Sequence, residues 1–170
     1  MRNLATLLHR WVGLAIAGFL FVTGLTGAVI SWDHELDDLL NPHLMDARSD
    51  GPALPVLELA KRVETADPRV QAVSIPMSVE PGESLSIFVL PRVDPATGRL
   101  YDPAYNQVFL DPATGELLGR RKWGQAFPLS TETFVSFLYK FHKSLHIPDF
   151  WGIHRWGEWL LGGVAILWTI

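Results

Sequence analysis

A chain of 170 residues has room for one ordinary domain, yet its seven Trp, 48% hydrophobic content and positive mean hydropathy are high for a small soluble protein. A formal net charge of −4 with no basic stripe argues against a nucleic-acid partner, because nothing tracks phosphate. The absence of Cys removes disulfides, thiolate nucleophiles and iron–sulfur or zinc sites of the Cys type, without deciding the compartment.

The excess apolarity is local. From Leu14 to Trp32 no residue is charged, and about 19 residues at roughly 1.5 Å rise reach roughly 28 Å, close to a bilayer's hydrocarbon thickness. Residues 14–32 are therefore expected to be a transmembrane helix. The competing reading is a cleaved signal peptide, with Arg2 and Arg10 ahead of the run and Thr26-Gly27-Ala28 as a loose cleavage site. Against it, the apolar run continues through Val29, Ile30 and Trp32. The two arginines before the run and Asp33, Glu35, Asp37 and Asp38 after it put residues 1–13 in the cytoplasm and the acidic end outside.

Residues 33–140 follow a different pattern. "PALPVLELAKRVETADP" offers Leu54, Leu57, Leu59, Ala60 and Val63 as one apolar helix face, stopped by Pro68. "RVQAVSIPM" and "ESLSIFVLP" alternate and are β-branched, which predicts two strands of a hairpin around Pro81-Gly82. "YNQVFLDPATGELLGRRKWG" predicts a third and fourth strand joined at Asp111-Pro112-Ala113-Thr114-Gly115, where Pro pre-sets the turn and Gly supplies positive φ. Asp94-Pro95-Ala96-Thr97-Gly98 nearly copies that turn, and its Pro-rich surroundings leave a hairpin tip and an irregular loop equally open. The fold class expected is membrane α+β: transmembrane helices flanking a small extracytoplasmic domain of helix plus antiparallel sheet. A second apolar stretch, "WGEWLLGGVAILWTI", has only about 11 uncharged residues after Glu158, too few to cross. Residues 141–170 are thus expected to lead into a cut-short second membrane helix, the chain being the N-terminal part of a longer protein whose further helices are its partners. A short interfacial helix is the alternative.

Five of the six histidines, His9, His34, His142, His146 and His154, sit at the ends of the apolar segments, with His43 apart. His9 and His34 would lie roughly 37 Å from one another on a continuous helix and cannot serve one site. His142 and His146, spaced i, i+4, would share a helical face. That spacing suits a zinc motif, but Lys143 stands where the motif needs Glu. Haem needs axial imidazoles on opposite faces of a flat ring, so each such histidine would need a partner from another helix. The plain alternative is that these residues are amphipathic anchors at headgroup level.

"LHRWVGLAIAGFLFVTGLTGAVISWDHELDDLLNP" resembles the first membrane helix of the PepSY-associated transmembrane family, bacterial proteins described as iron-regulated membrane proteins or siderophore-linked ferric reductases. The resemblance is carried by Leu8 to Trp11, Gly13, Gly24 to Gly27, Glu35 to Asp38 and Asn41-Pro42. Residues 33–140 are similar to a PepSY domain, and Phe141-His142-Lys143 to the lead-in of the family's second helix. The resemblance implies a four-helix unit in the bacterial inner membrane that holds haem b between histidines and passes electrons outward to ferric iron or a ferric siderophore. By position it implies His9 as a ligand of an inner haem and His142 of an outer one, with His34 or His146 able to complement His142. No metal beyond haem iron is implied. The groups in "RRKWGQAF" are either contacts for an acidic siderophore or a strand end with a snorkelling rim. No hydrolytic triad, carboxylate pair or phosphate loop stands out. The rival class is a membrane-tethered PepSY module that binds an exported protein without redox chemistry, and a sensor would need an output domain not found in these residues.

Overall fold

The computed structural model describes residues 2–152 and 154–169, which form two compact units, Met1–Asp33 with Phe134–Ile170, and His34–Thr133. In the first unit, α1 runs from Arg2 to Ile30. Its 29 residues span about 43 Å at about 1.5 Å each, and Asn3–Ile30 is long and apolar enough to cross a membrane. The helix begins well before Leu14 because Leu4, Leu7, Leu8 and Trp11 continue its apolar surface. It ends when Ser31 N–H donates to Gly27 O and Trp32 N–H to Val29 O. Since Ser31 and Trp32 form a turn, the chain from His9 to His34 is not one continuous helix.

Two further helices, α5 (Thr131–Ser144) and α6 (Trp156–Thr169), carry the rest of this unit. Their close approach depends on Gly157: a Cβ there would collide with the Ser144 backbone, at its carbonyl oxygen and its Cα. Before α6, Phe150 and Trp156 stack with centroids 4.7 Å apart while Trp156 Nε1–H donates to Phe150 O. At 14 residues α6 is shorter than a span, as the sequence indicates.

The second unit is an antiparallel meander, β1 (Val70–Ser74), β2 (Leu85–Pro91), β3 (Gln107–Leu110) and β4 (Leu117–Arg121), in the order β1-β2-β3-β4. One face packs on α4 (Val56–Ala66), with Leu59, Ala60 and Val63 against Val70, Leu85, Ile87, Val89, Val108 and Leu110. Each fully buried branched side chain contributes roughly 1.5–3 kcal/mol. Leu57, expected on this face, is 66% exposed, and Leu54 packs on the core from outside the helix. The other face is covered by α2 (Asp33–Leu40) and the single turn α3 (Pro42–Met45), where Leu44 and Met45 meet Phe109 and Leu118. A Cβ on Gly119 would run into the Leu44 Cδ2 methyl, so a side chain on β4 there would make Leu44 of α3 shift.

The β3–β4 turn forms at Asp111–Gly115, with Gly115 at φ +76°. All five residue types of that motif recur at 94–98, and there the hairpin-tip reading holds. Asp94 N–H donates to Arg99 O as Asp111 N–H does to Glu116 O, and the Gly98 and Gly115 N–H groups each return to the Asp carbonyl. The expected β1–β2 hairpin differs. Pro81-Gly82 makes a turn closed by Glu83 N–H on Glu80 O, but it lies just ahead of β2, because Ile75 and Val79 divert the connection across the core.

Candidate functional site

His142 lies near the end of α5, and its Nδ1 is 3.1 Å from Thr26 Oγ1 on α1. Its Cε1 corner seats on Gly27, where a Cβ would come within 3.1 Å. Among the described residues no hydrogen-bond partner reaches His142 Nε2. Close by, Tyr139 O–H donates to Asp33 Oδ2 at 2.7 Å, a second link between α5 and the chain, here three residues past the end of α1.

His146 does not share a helical face with His142. The helix stops at Ser144, and Leu145 and His146 take positive φ, 51° and 54°. Its ring stacks on Phe137 at 4.5 Å, and Nε2 is 3.0 Å from Phe137 O, to which it can only donate. The imidazole is thereby turned to its own helix. His9 is exposed on α1.

His34, in the other unit, is held by acids: Nε2 lies 3.0 Å from Glu83 Oε1 and 3.8 Å from Asp38 Oδ2. The hydrogen bond with Glu83, partly opposed by burial, raises its pKa above the ordinary histidine value. One ligand atom each from His34, Asp38 and Glu83 falls within 4.8 Å of the others, a donor set that a divalent cation accepts. The same geometry is complete as a protonated imidazole between two carboxylates.

Axial ligation of haem asks an imidazole for one bare nitrogen while the other is held by a hydrogen bond. His142 meets that requirement through Nε2 and Nδ1. His34 and His146 each have Nε2 engaged with an oxygen acceptor.

Little in the residue pattern signals the buried polar chain of the second unit. Arg121 grips the Asp37 carboxylate with both terminal nitrogens, donates Nε–H to Gln107 Oε1 at 2.8 Å, and lies over the rings of Phe109 and Trp123. Gln107 in turn donates to Ser86 Oγ at 2.6 Å. Asn41 Nδ2 donates to Asp37 Oδ1 and to Thr131 O, both pure acceptors, which leaves its buried Oδ1 without a partner among the described residues. Arg121 is therefore neither a siderophore contact nor a snorkelling rim; it is 6% exposed and consumed by Asp37. The available signal was Asp37 one turn before Asn41 on an otherwise amphipathic segment.

The family described as PepSY-associated TM region matches residues 6–170. The chain belongs to that family. It is a membrane-associated PepSY module, with one helix among the described residues long and apolar enough to span and a small four-stranded α+β domain. No curated protein was found to match it. Within this PepSY-associated protein His142, Thr26 and Gly27 fall in the two segments, 8–42 and 141–143, that carry the resemblance.

Proposed function

We propose that this PepSY-associated protein takes part in haem-mediated electron transfer across the bacterial inner membrane, toward ferric iron or a ferric siderophore on the outer side. The observation that supports it is His142, with Nδ1 anchored and Nε2 without a partner. In this reading haem b supplies one-electron transfer between its ferric and ferrous states. The chain's residues would bind and orient it: His142 would offer Nε2 at the outer level, His9 would serve at the inner level, and each would need a partner histidine from another helix. Residues 1–13 lie in the cytoplasm, 33–140 form the extracytoplasmic domain, and 141–170 lead into a second membrane helix.

The test is a reduced-minus-oxidised visible spectrum of the protein purified in detergent, beside His9→Ala and His142→Ala. Sharp α-band absorption that weakens in each variant is the expected result. A colourless wild type from haem-replete cells overturns the reading. A second reading, a tethered module that docks an exported chain, draws on β1 and β4, which are the two edges of the meander and offer backbone groups for strand addition. It predicts a colourless protein whose binding responds to changes in those strands.

A further inference from the structure

The contact between Thr26 and His142 has a direction that can be derived. The Thr26 hydroxyl has one hydrogen, and two carbonyls of its own helix lie within reach, Val22 O at 2.9 Å and Thr23 O at 3.1 Å. Thr23 makes the same return to Phe19 O and Leu20 O one turn earlier. A threonine that gives its proton back to the preceding turn keeps oxygen lone pairs for an incoming donor. The donor at hand is His142 Nδ1, 3.1 Å away. Carbonyl oxygens only accept, so this assignment uses every group in the cluster, whereas a Thr26 hydroxyl pointed at Nδ1 would give up both carbonyl contacts.

We propose that Thr26 is a positioning residue: it accepts the Nδ1–H of His142, fixes the neutral imidazole in a single tautomer, and so leaves Nε2 as the bare nitrogen offered to a metal. Gly27 completes the device. Its missing Cβ lets the Cε1 corner of the ring approach α1 closely enough for Nδ1 to reach Thr26. With the reverse polarity the proton would sit on Nε2 and close the ligand position. The choice of haem as the metal group rests on the reading above; the tautomer is a property of this chain alone.

The experiment is nitrogen-15 NMR of the histidine-labelled full chain in detergent micelles, without added haem, at a pH where the imidazoles are neutral. A His142→Asn variant assigns the signals. The expected wild-type result is a protonated Nδ1 and an unprotonated Nε2. Thr26→Val should move both resonances toward the Nε2–H form that free side chains favour, and Thr26→Ser should restore the wild-type pattern. A wild-type His142 protonated on Nε2 overturns the proposal, and so does a Thr26→Val spectrum identical to wild type. A haem-containing protein with Nε2–H in its haem-free form would sink this inference and leave the electron-transfer reading standing. A colourless protein with the Nδ1–H pattern would do the reverse.

Discussion

Arg121 and Asp37, 84 positions apart in sequence, form a bidentate ion pair that is almost wholly buried, at 4% and 6% side-chain exposure. Through it β4 is fastened to α2, and Asn41 and Gln107 hold the two ends of the pair.

Removing one partner leaves an uncompensated buried charge. Asp37→Asn is expected to destabilise the protein by about 3–5 kcal/mol, whereas the apolar double replacement Asp37→Leu with Arg121→Met recovers most of that loss. Denaturant unfolding of the full chain in detergent, followed by tryptophan fluorescence, checks this. A loss under about 1 kcal/mol for Asp37→Asn would show that water reaches Arg121.

Two buried aspartates set the acid limit. Hydrogen bonds from Arg69, working against burial and helped by Tyr105, hold Asp67 well below the carboxylate range. For Asp111 burial alone would raise the pKa, but hydrogen bonds from Ser49, Thr114 and the Arg48 backbone outweigh it and push it down. A depressed pKa gives stability that is present above about 3.9 and is lost as the pH falls through the folded-state value. Stability measured from pH 6 downward should therefore fall steeply below about 4, and Asp111→Asn should be less stable at neutral pH with a shallower acid slope.

For His34 the sign is opposite. Its raised pKa contributes stability fully present below about pH 6.5 and lost as the pH rises through the folded-state value. Because the imidazole is about half exposed, the effect should stay below about 1 kcal/mol. An NMR titration should place its midpoint above that of a solvent histidine, and Glu83→Gln should bring it back down.

Gly157 and Gly162 make a matched pair on α6. A Cβ at Gly157 meets Ser144 backbone, which has no flexible end to yield, whereas nothing lies within 4 Å of one at Gly162. Gly157→Ala should lower thermal stability in detergent by roughly 1–3 kcal/mol. Gly162→Ala should be neutral or stabilising by up to about 1 kcal/mol. Equal behaviour of the two would mean that α6 does not rest on Ser144.

The legible parts of the sequence were those governed by neighbours in the chain. Pro112 and Gly115 specify their turn locally, and Leu59, Ala60 and Val63 announce a helix face by period alone. The Asp37–Arg121 pair was not legible, because nothing in "DHELDD" or "GRRKW" says which acid meets which base across the sheet. The i, i+4 spacing of His142 and His146 misled for a different reason. Pro148 biases Ile147 away from helix, and the chain leaves α5 through two left-handed residues, a conformation histidine adopts more readily than most. Thr26 as the partner of His142 could not be read at all, since the two lie 116 positions apart.

The twin turns at 94–98 and 111–115 give the protein an internal control. The same five residue types close the same backbone ring, but Asp94 is half-buried and takes one outside hydrogen bond, from Tyr101 O–H, while Asp111 is buried under Ser49 and Arg48. The local sequence is held constant between them and only the surroundings change. The more open copy should thus report what the pentapeptide contributes with little help, and the difference between the copies measures the enclosure.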